Sequence, residues 1–236
     1  QEQMTQLYEL QQVDSAIAQH RTWIAGLDDG GKSGRNLAAA RQELERLRQR
    51  LNALEAENRK KELELRSAEQ ERKDKMGKAY GGTVADAKEL GALERKIEEL
   101  NRRRDRLETD ILGLMDEIET TRAQVAKQEK VVAQGQAVHD RIVGDYQEAR
   151  GKLESEIRAL TAKRAELTAQ IAPPMLQEYE TMRSKLEGVA VAGIEGNMCM
   201  ACRNVLPQSA ISAVKLGKVI VKCQNCRRML YPSDAW

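Results

Sequence analysis

Four cysteines fall within the last 38 residues of the chain: Cys199, Cys202, Cys223 and Cys226. They form two C-x2-C pairs separated by twenty residues. A C-x2-C pair can turn both sulfurs toward one point, and two such knuckles supply the four thiolates of a tetrahedral zinc site. Two disulfides would suit an exported chain, and no export leader is expected ahead of the helices described below. A thioredoxin-like redox pair would need a βαβ context, which the surrounding sequence lacks. Four cysteine ligands close the coordination sphere, so the expected Zn2+ is structural rather than catalytic. Residues 188–236 are too few to fold well on apolar burial alone, and metal binding becomes their folding energy. Val189–Ala192, Lys218–Lys222 and Arg228–Tyr231 read as short strands beside the knuckles, giving a zinc ribbon. Replacing Cys199 or Cys226 is expected to unfold that ribbon and leave the helices intact.

A second chemical motif runs from Gly26 to Ser33, GLDDGGKS, and matches the phosphate-cradling G-x4-G-K-[ST] pattern. A P-loop requires a buried strand before it, a helix after it and a second strand ending in a magnesium-binding Asp. Residues 17–25 instead follow helical periodicity, and Asp28 and Asp29 would face phosphates with like charge. The segment reads as a helix break in which Gly26 or Gly30 ends one helix and Ser33 or Asn36 caps the next. A P-loop-like ATPase is therefore the remote alternative.

Charge adds a third feature. No Asp or Glu occurs between Gly196 and Ser233, while Arg203, Lys215, Lys218, Lys222, Arg227 and Arg228 do. A four-thiolate zinc centre contributes about −2, which still leaves the ribbon basic. Residues 1–195 carry 33 basic and 36 acidic side chains. The six basic residues are the candidate contacts for RNA, DNA or an acidic protein surface. Only Tyr231 and Trp236 could stack on bases there, which weakens a single-strand reader.

The elements that must position these groups are long helices. From residue 37 to 75, Leu44, Leu51, Asn58 and Leu65 share one seam position, and Ala40, Leu47, Leu54, Lys61 and Ala68 share the other. Steps of four and three are those of a coiled coil. A second register opens at Leu90 and runs through Leu93, Ile97, Leu100, Arg104, Leu107, Ile111, Leu114 and Ile118 toward Leu167 and Ile171. A phase slip between Tyr146 and Leu153 suggests a stutter. Gly77, Gly81 and Gly82 mark a reversal near 77–83. An antiparallel hairpin would then pair residues whose numbers sum to about 160, placing Asn58 and Lys61 near Arg104 and His20 near His139. The histidine pair reads as two seam residues rather than a site. Pro173-Pro174 ends the second helix, and residues 175–187 form a connecting helix. The fold class is mainly α: a long antiparallel coiled-coil hairpin (1–174), a connecting helix (175–187) and a small β zinc ribbon (188–236).

Composition agrees. Of 236 residues, 32% are charged and 3% aromatic, with no Phe. That suits solvated helices better than a large core. No apolar run approaches the roughly 20 residues a bilayer span needs. Membrane proteins, secreted disulfide scaffolds and standard α/β enzymes are disfavoured, and no catalytic constellation is present.

The chain resembles a bacterial family of coiled-coil hairpin proteins that end in a four-cysteine zinc ribbon. The resemblance rests on Ala190-Val191-Ala192 before Cys199-Met200-Ala201-Cys202, and on Ile220-Val221-Lys222-Cys223-Gln224-Asn225-Cys226-Arg227-Arg228-Met229-Leu230-Tyr231. Lys88-Glu89-Leu90 and Leu93-Glu94-Arg95-Lys96-Ile97-Glu98 add to it. The family pattern usually carries Gly after the last cysteine, where this chain has Arg227. The resemblance implies a kinked antiparallel hairpin with a ribbon at its base and zinc-ligand roles for the four cysteines. Some members are linked to flagellar gene control and are described as binding the nitrogen-type alternative sigma factor or a flagellin transcript. The reading is a cytoplasmic, non-enzymatic adaptor or regulator; the alternative is a structural spacer with the ribbon as a cap.

Overall fold

The protein, seen in a computed structural model, is described over residues 2–82, 84–217 and 219–232. Its elements in chain order are α1 (Glu2–Gly26), α2 (Gly31–Tyr80), α3 (Ala87–Gln170), α4 (Pro173–Lys185), β1 (Val191–Glu195), β2 (Met198–Cys199), α5 (Gln208–Leu216) and β3 (Met229–Pro232). The chain divides into two compact units, residues 30–142 and residues 1–29 with 143–236. No helix among the described residues is long and apolar enough to cross a membrane.

The unit of residues 30–142 is the antiparallel helical hairpin that the heptads predict. Leu37, Leu44, Leu47 and Ala68 of α2 are buried, as are Leu100, Leu107, Ile111 and Ile118 of α3. The register differs from the expected one. Lys61 meets Asp110 at 2.7 Å and Arg103 meets Glu64 at 3.8 Å, a shift of about ten residues along the seam. The cause is the turn. α2 continues through Gly77 to Tyr80, Gly82 takes φ 80°, and α3 starts only at Ala87. A helical glycine costs about 1 kcal/mol, too little to stop a 50-residue helix. Asn58 therefore bonds Glu62 at 2.9 Å and Arg104 pairs with Asp105 at 2.7 Å, on their own helices.

The hairpin opens at the P-loop lookalike. A helix precedes it where a nucleotide site needs a strand. Gly30, with φ 81°, stands at the N-cap of α2 and no side chain caps the helix. Ser33 lies inside the first turn, not at the cap. Its hydroxyl donates to the Gly30 carbonyl at 2.9 Å, and it lies 2.9 Å from His139 Nδ1.

The other unit has two cores. The first joins Leu7, Leu10, Val13 and Ile17 of α1, Leu167 and Ile171, Tyr179 of α4, and Val191 and Met229 of the ribbon strands. The second lies inside the ribbon: Ala192, Ile194, Leu206, Ile211, Val214 and Leu230 around Cys199 and Cys223. Successive strand residues point to opposite faces, so β1 and β3 each serve both cores. Pro173 and Pro174 open α4, with two residues between it and the end of α3. The prolines cannot continue α3 yet suit the first turn of a helix.

The ribbon sheet has strand order β2-β1-β3, with β1 antiparallel to β2 and parallel to β3. β1 starts two residues later than the sequence reading placed it, and β3 one residue later. Residues 219–222 form no strand; Lys222 makes a single bridge to Met229. Lys218 lies outside the described residues. Helix α5 was not expected, although Pro207 precedes it and Gly217, φ 61°, closes it in the left-handed region.

Candidate metal centre

Each cysteine pair sits on the same turn. In the first, the Cys199 N–H donates to the Asn204 carbonyl at 3.0 Å and the Arg203 N–H to the Cys199 carbonyl at 2.7 Å. In the second, Cys223 donates to Arg228 and Arg227 donates to Cys223, both at 2.9 Å. The residue after the second cysteine takes a left-handed backbone in both: Arg203 with φ 56° and Arg227 with φ 66°. That conformation is why glycine is common at such a position; here two arginines hold it.

The turns bring all four Sγ atoms within 4.8 Å of one another. Cys199 and Cys226 sulfurs are 3.8 Å apart, and Cys202 and Cys223 sulfurs 3.7 Å. Disulfide sulfurs lie about 2.05 Å apart, so these are four free thiols. A tetrahedron of sulfurs each about 2.3 Å from zinc has edges of about 3.8 Å, and the thiols fit it. Burial pushes the Cys199 thiol up to about 12, although the amides of Cys202 and Ala201 hydrogen-bond its sulfur. Burial also opposes ionisation of Cys202, but the Asn204 amide, Asn225 and the neighbouring thiols outweigh it and hold the group down at about 6. A bound dication ionises coordinating thiols outright. With four sulfur ligands there is no open position for water or substrate. The group is therefore a structural zinc site.

Residues far off in sequence hold the site in place. Gln11 on α1 is 2% exposed. Its Oε1 accepts the N–H groups of Ala190 at 2.7 Å and Val191 at 3.2 Å, and its Nε2 donates to the Gly188 carbonyl at 2.9 Å. Asp14, one turn later, is also 2% exposed. It accepts Arg164 Nε at 2.7 Å and the Tyr179 hydroxyl at 2.7 Å, with Arg183 Nε 3.4 Å away. Arg164 also reaches Glu180. Burial, then the Asp14 carboxylate, push the Tyr179 hydroxyl far above its ordinary range, so it stays protonated and donates. Sequence reasoning missed Gln11 and Asp14. Their signal was present: with Leu7 they step by four and three on the apolar face of α1.

The basic candidates separate into groups. Arg203 and Arg227 are exposed on the knuckles, with no side-chain ion pair among the described residues. Lys215 stands in the last turn of α5. Lys222 pairs with Glu178 at 2.5 Å. Arg228 is half-buried and donates to the Val189 carbonyl at 2.8 Å and the Leu186 carbonyl at 2.9 Å, tying the end of α4 to the ribbon.

Comparison with known proteins agrees with this geometry. Among solved structures, CT398 from Chlamydia trachomatis matches with a TM-score of 0.69 and 19% identity, each chain covered to 98%. A protein from Mycobacterium smegmatis gives 0.79 at 21% identity, again with 98% of each chain covered. The HP0958 protein from Helicobacter pylori gives 0.53 at 18%, covering 99% of this chain and 98% of the other. A curated but uncharacterised protein of Mycobacterium tuberculosis is 24% identical over 152 residues, 62% of this chain. That match spans 60% of the relative's length. The C4-type zinc ribbon domain matches residues 198–230, the segment that carries all four thiols. The CT398-like coiled coil hairpin domain matches residues 10–187, and with three quarters of its length so matched the chain belongs to that hairpin family, here ending in a zinc ribbon.

Proposed function

We propose that the protein is a non-enzymatic adaptor of the cytoplasm, whose helical arm binds a protein partner and whose zinc ribbon contacts a polyanion. The observation that carries this reading is the charge of the ribbon. From Gly196 to Ser233 it has no acidic residue, and Arg203 and Arg227 present guanidinium groups from two equivalent, conformationally costly positions. Left-handed backbone costs roughly 1–2 kcal/mol for a non-glycine residue, a cost that a contact role would justify. A zinc centre with four sulfur ligands performs no chemistry, and free thiols suit a reducing compartment. The family resemblance adds a nitrogen-type sigma factor as a partner class for the arm, with transcription and flagellar control as its setting. Nucleic acid is the first polyanion to test, and an acidic protein surface the second.

The test is fluorescence anisotropy of the zinc-loaded chain with labelled single-stranded RNA and duplex DNA across a salt series. Binding should weaken steeply with salt, with a slope that counts the phosphates contacted. Arg203→Glu with Arg227→Glu should remove it while leaving zinc bound. Absence of binding at low salt would exclude nucleic acid and leave an acidic protein, or a spacer role for the whole chain.

A further inference from the structure

Within the hairpin of residues 30–142, α3 carries two apolar faces. One is the seam, where Ile111 and Ile118 are buried against α2. The other meets no partner among the described residues: Leu112 is 64% exposed and Met115 53%. Asp116 and Glu119 share that second face, since steps of three, four and seven from Leu112 fall on one side of a helix. A groove of about 680 Å³ lies along it between α2 and α3. Leu112, Met115 and Ile118 form its apolar lining, and α2 contributes Asn58, Arg59 and Glu62.

The charges around the groove are unequal. Arg122 is paired with Glu55 at 2.6 Å and cancels it. Asp116 and Glu119 make no ion pair among the described residues, and Glu62 only accepts the Asn58 amide at 2.9 Å. Arg59 alone opposes them. An exposed apolar strip beside an acidic rim asks for one kind of ligand.

We infer that this groove is the docking site for an amphipathic helix of a partner protein, apolar on one face and carrying Lys or Arg on its flanks. The inference rests on the reading of the arm as a protein-binding surface and assigns the place and the chemistry. Helix-in-groove recognition uses apolar anchors at spacings of three and four, the spacing that meets Leu112 and Met115. The acidic rim selects against acidic helices by like-charge contact.

The probe is a labelled synthetic Leu/Lys peptide of about five helical turns, with a scrambled isomer of equal composition that has no apolar stripe. Anisotropy is read against the full zinc-loaded chain. The amphipathic peptide should bind, and the scrambled isomer should bind at least about tenfold more weakly. Leu112→Lys with Met115→Lys should weaken binding by about tenfold or more without lowering the thermal midpoint, because both residues are exposed. Asp116→Lys with Glu119→Lys, the second variant, should weaken it and flatten its salt dependence. Arg203→Glu with Arg227→Glu should leave peptide binding unchanged, which separates this site from the ribbon. Equal binding of both peptides, absence of binding, or unchanged affinity in both groove variants overturns the inference. So does sedimentation showing that the chain self-associates and that Leu112→Lys with Met115→Lys makes it monomeric, since the groove would then hold a second copy.

Discussion

The hairpin of residues 30–142 and the unit of residues 1–29 with 143–236 are held together by different interactions. The hairpin relies on one long apolar seam flanked by exposed ion pairs such as Arg48–Glu129 and Lys61–Asp110, which solvent screens. Many small, similar contacts share the load, and no single side chain decides the outcome. The other unit concentrates its stability in a few groups: four thiols, a buried Gln11, a buried Asp14 and two cores bridged by β1 and β3. A two-helix seam tolerates change; a metal-centred unit does not. The ribbon is also continuous with the helices of its own unit, because Val191 and Met229 pack against Leu7, Leu10 and Tyr179. Through that shared core, loss of the ribbon reaches α1 and α4, contrary to the expectation that all the helices stay intact.

The largest expected effect follows from the metal. Structural zinc contributes on the order of 10 kcal/mol to small modules. Cys199→Ser should remove most of that contribution, erase ribbon amide dispersion in NMR spectra and loosen α1 and α4. The circular dichroism of the hairpin should remain. Retained ribbon dispersion in that variant would show that the ribbon stands without its metal.

Asp14→Ala comes next. It leaves Arg164 and Arg183 without their buried carboxylate and the Tyr179 hydroxyl without its acceptor. Removing one member of a buried ion pair costs roughly 3–5 kcal/mol. Chemical denaturation should show that loss, and a change below about 1 kcal/mol would mean that solvent already reaches the network. Gln11→Ala should follow at about 2–3 kcal/mol, since it orphans the buried N–H groups of Ala190 and Val191. Its separate readout is faster exchange of those two amides.

The sequence made some of this visible and hid the rest for physical reasons. Zinc ligation is encoded locally, in two turns of four residues, so Cys199, Cys202, Cys223 and Cys226 stand out by spacing alone. Leu44, Leu47, Leu100 and Leu107 stand out by period. The pairing of the two helices depends on where the turn falls, and the turn was misplaced because a helix of this length runs through Gly77. Gln11 and Asp14 were hidden because polar residues read as surface until their partners are known. Those partners lie 150 or more residues away for the Arg164, Tyr179 and Ala190 contacts. Arg228 was grouped with the contact residues for the same reason; its carbonyl partners cannot be read from charge.

The smallest expected effect is a gain. Arg203→Gly or Arg227→Gly relieves a left-handed backbone that costs roughly 1–2 kcal/mol, offset in part by glycine's extra chain entropy of about 0.5–1 kcal/mol, and the small net gain should be seen as slower zinc loss to a chelator. Under the proposed function the same variants should weaken polyanion binding. A faster loss of zinc would mean that the arginine side chains support the knuckles instead of straining them.

The central claim is that zinc holds one unit and has no part in the other. The most direct measurement is amide hydrogen exchange over the whole chain, before and after chelation of zinc. The account predicts lost protection in β1, β3 and α5, reduced protection in α1 and α4, and unchanged protection along the seam around Leu44, Leu47, Leu100 and Leu107. Protection lost equally along that seam, or retained throughout the ribbon, would contradict it.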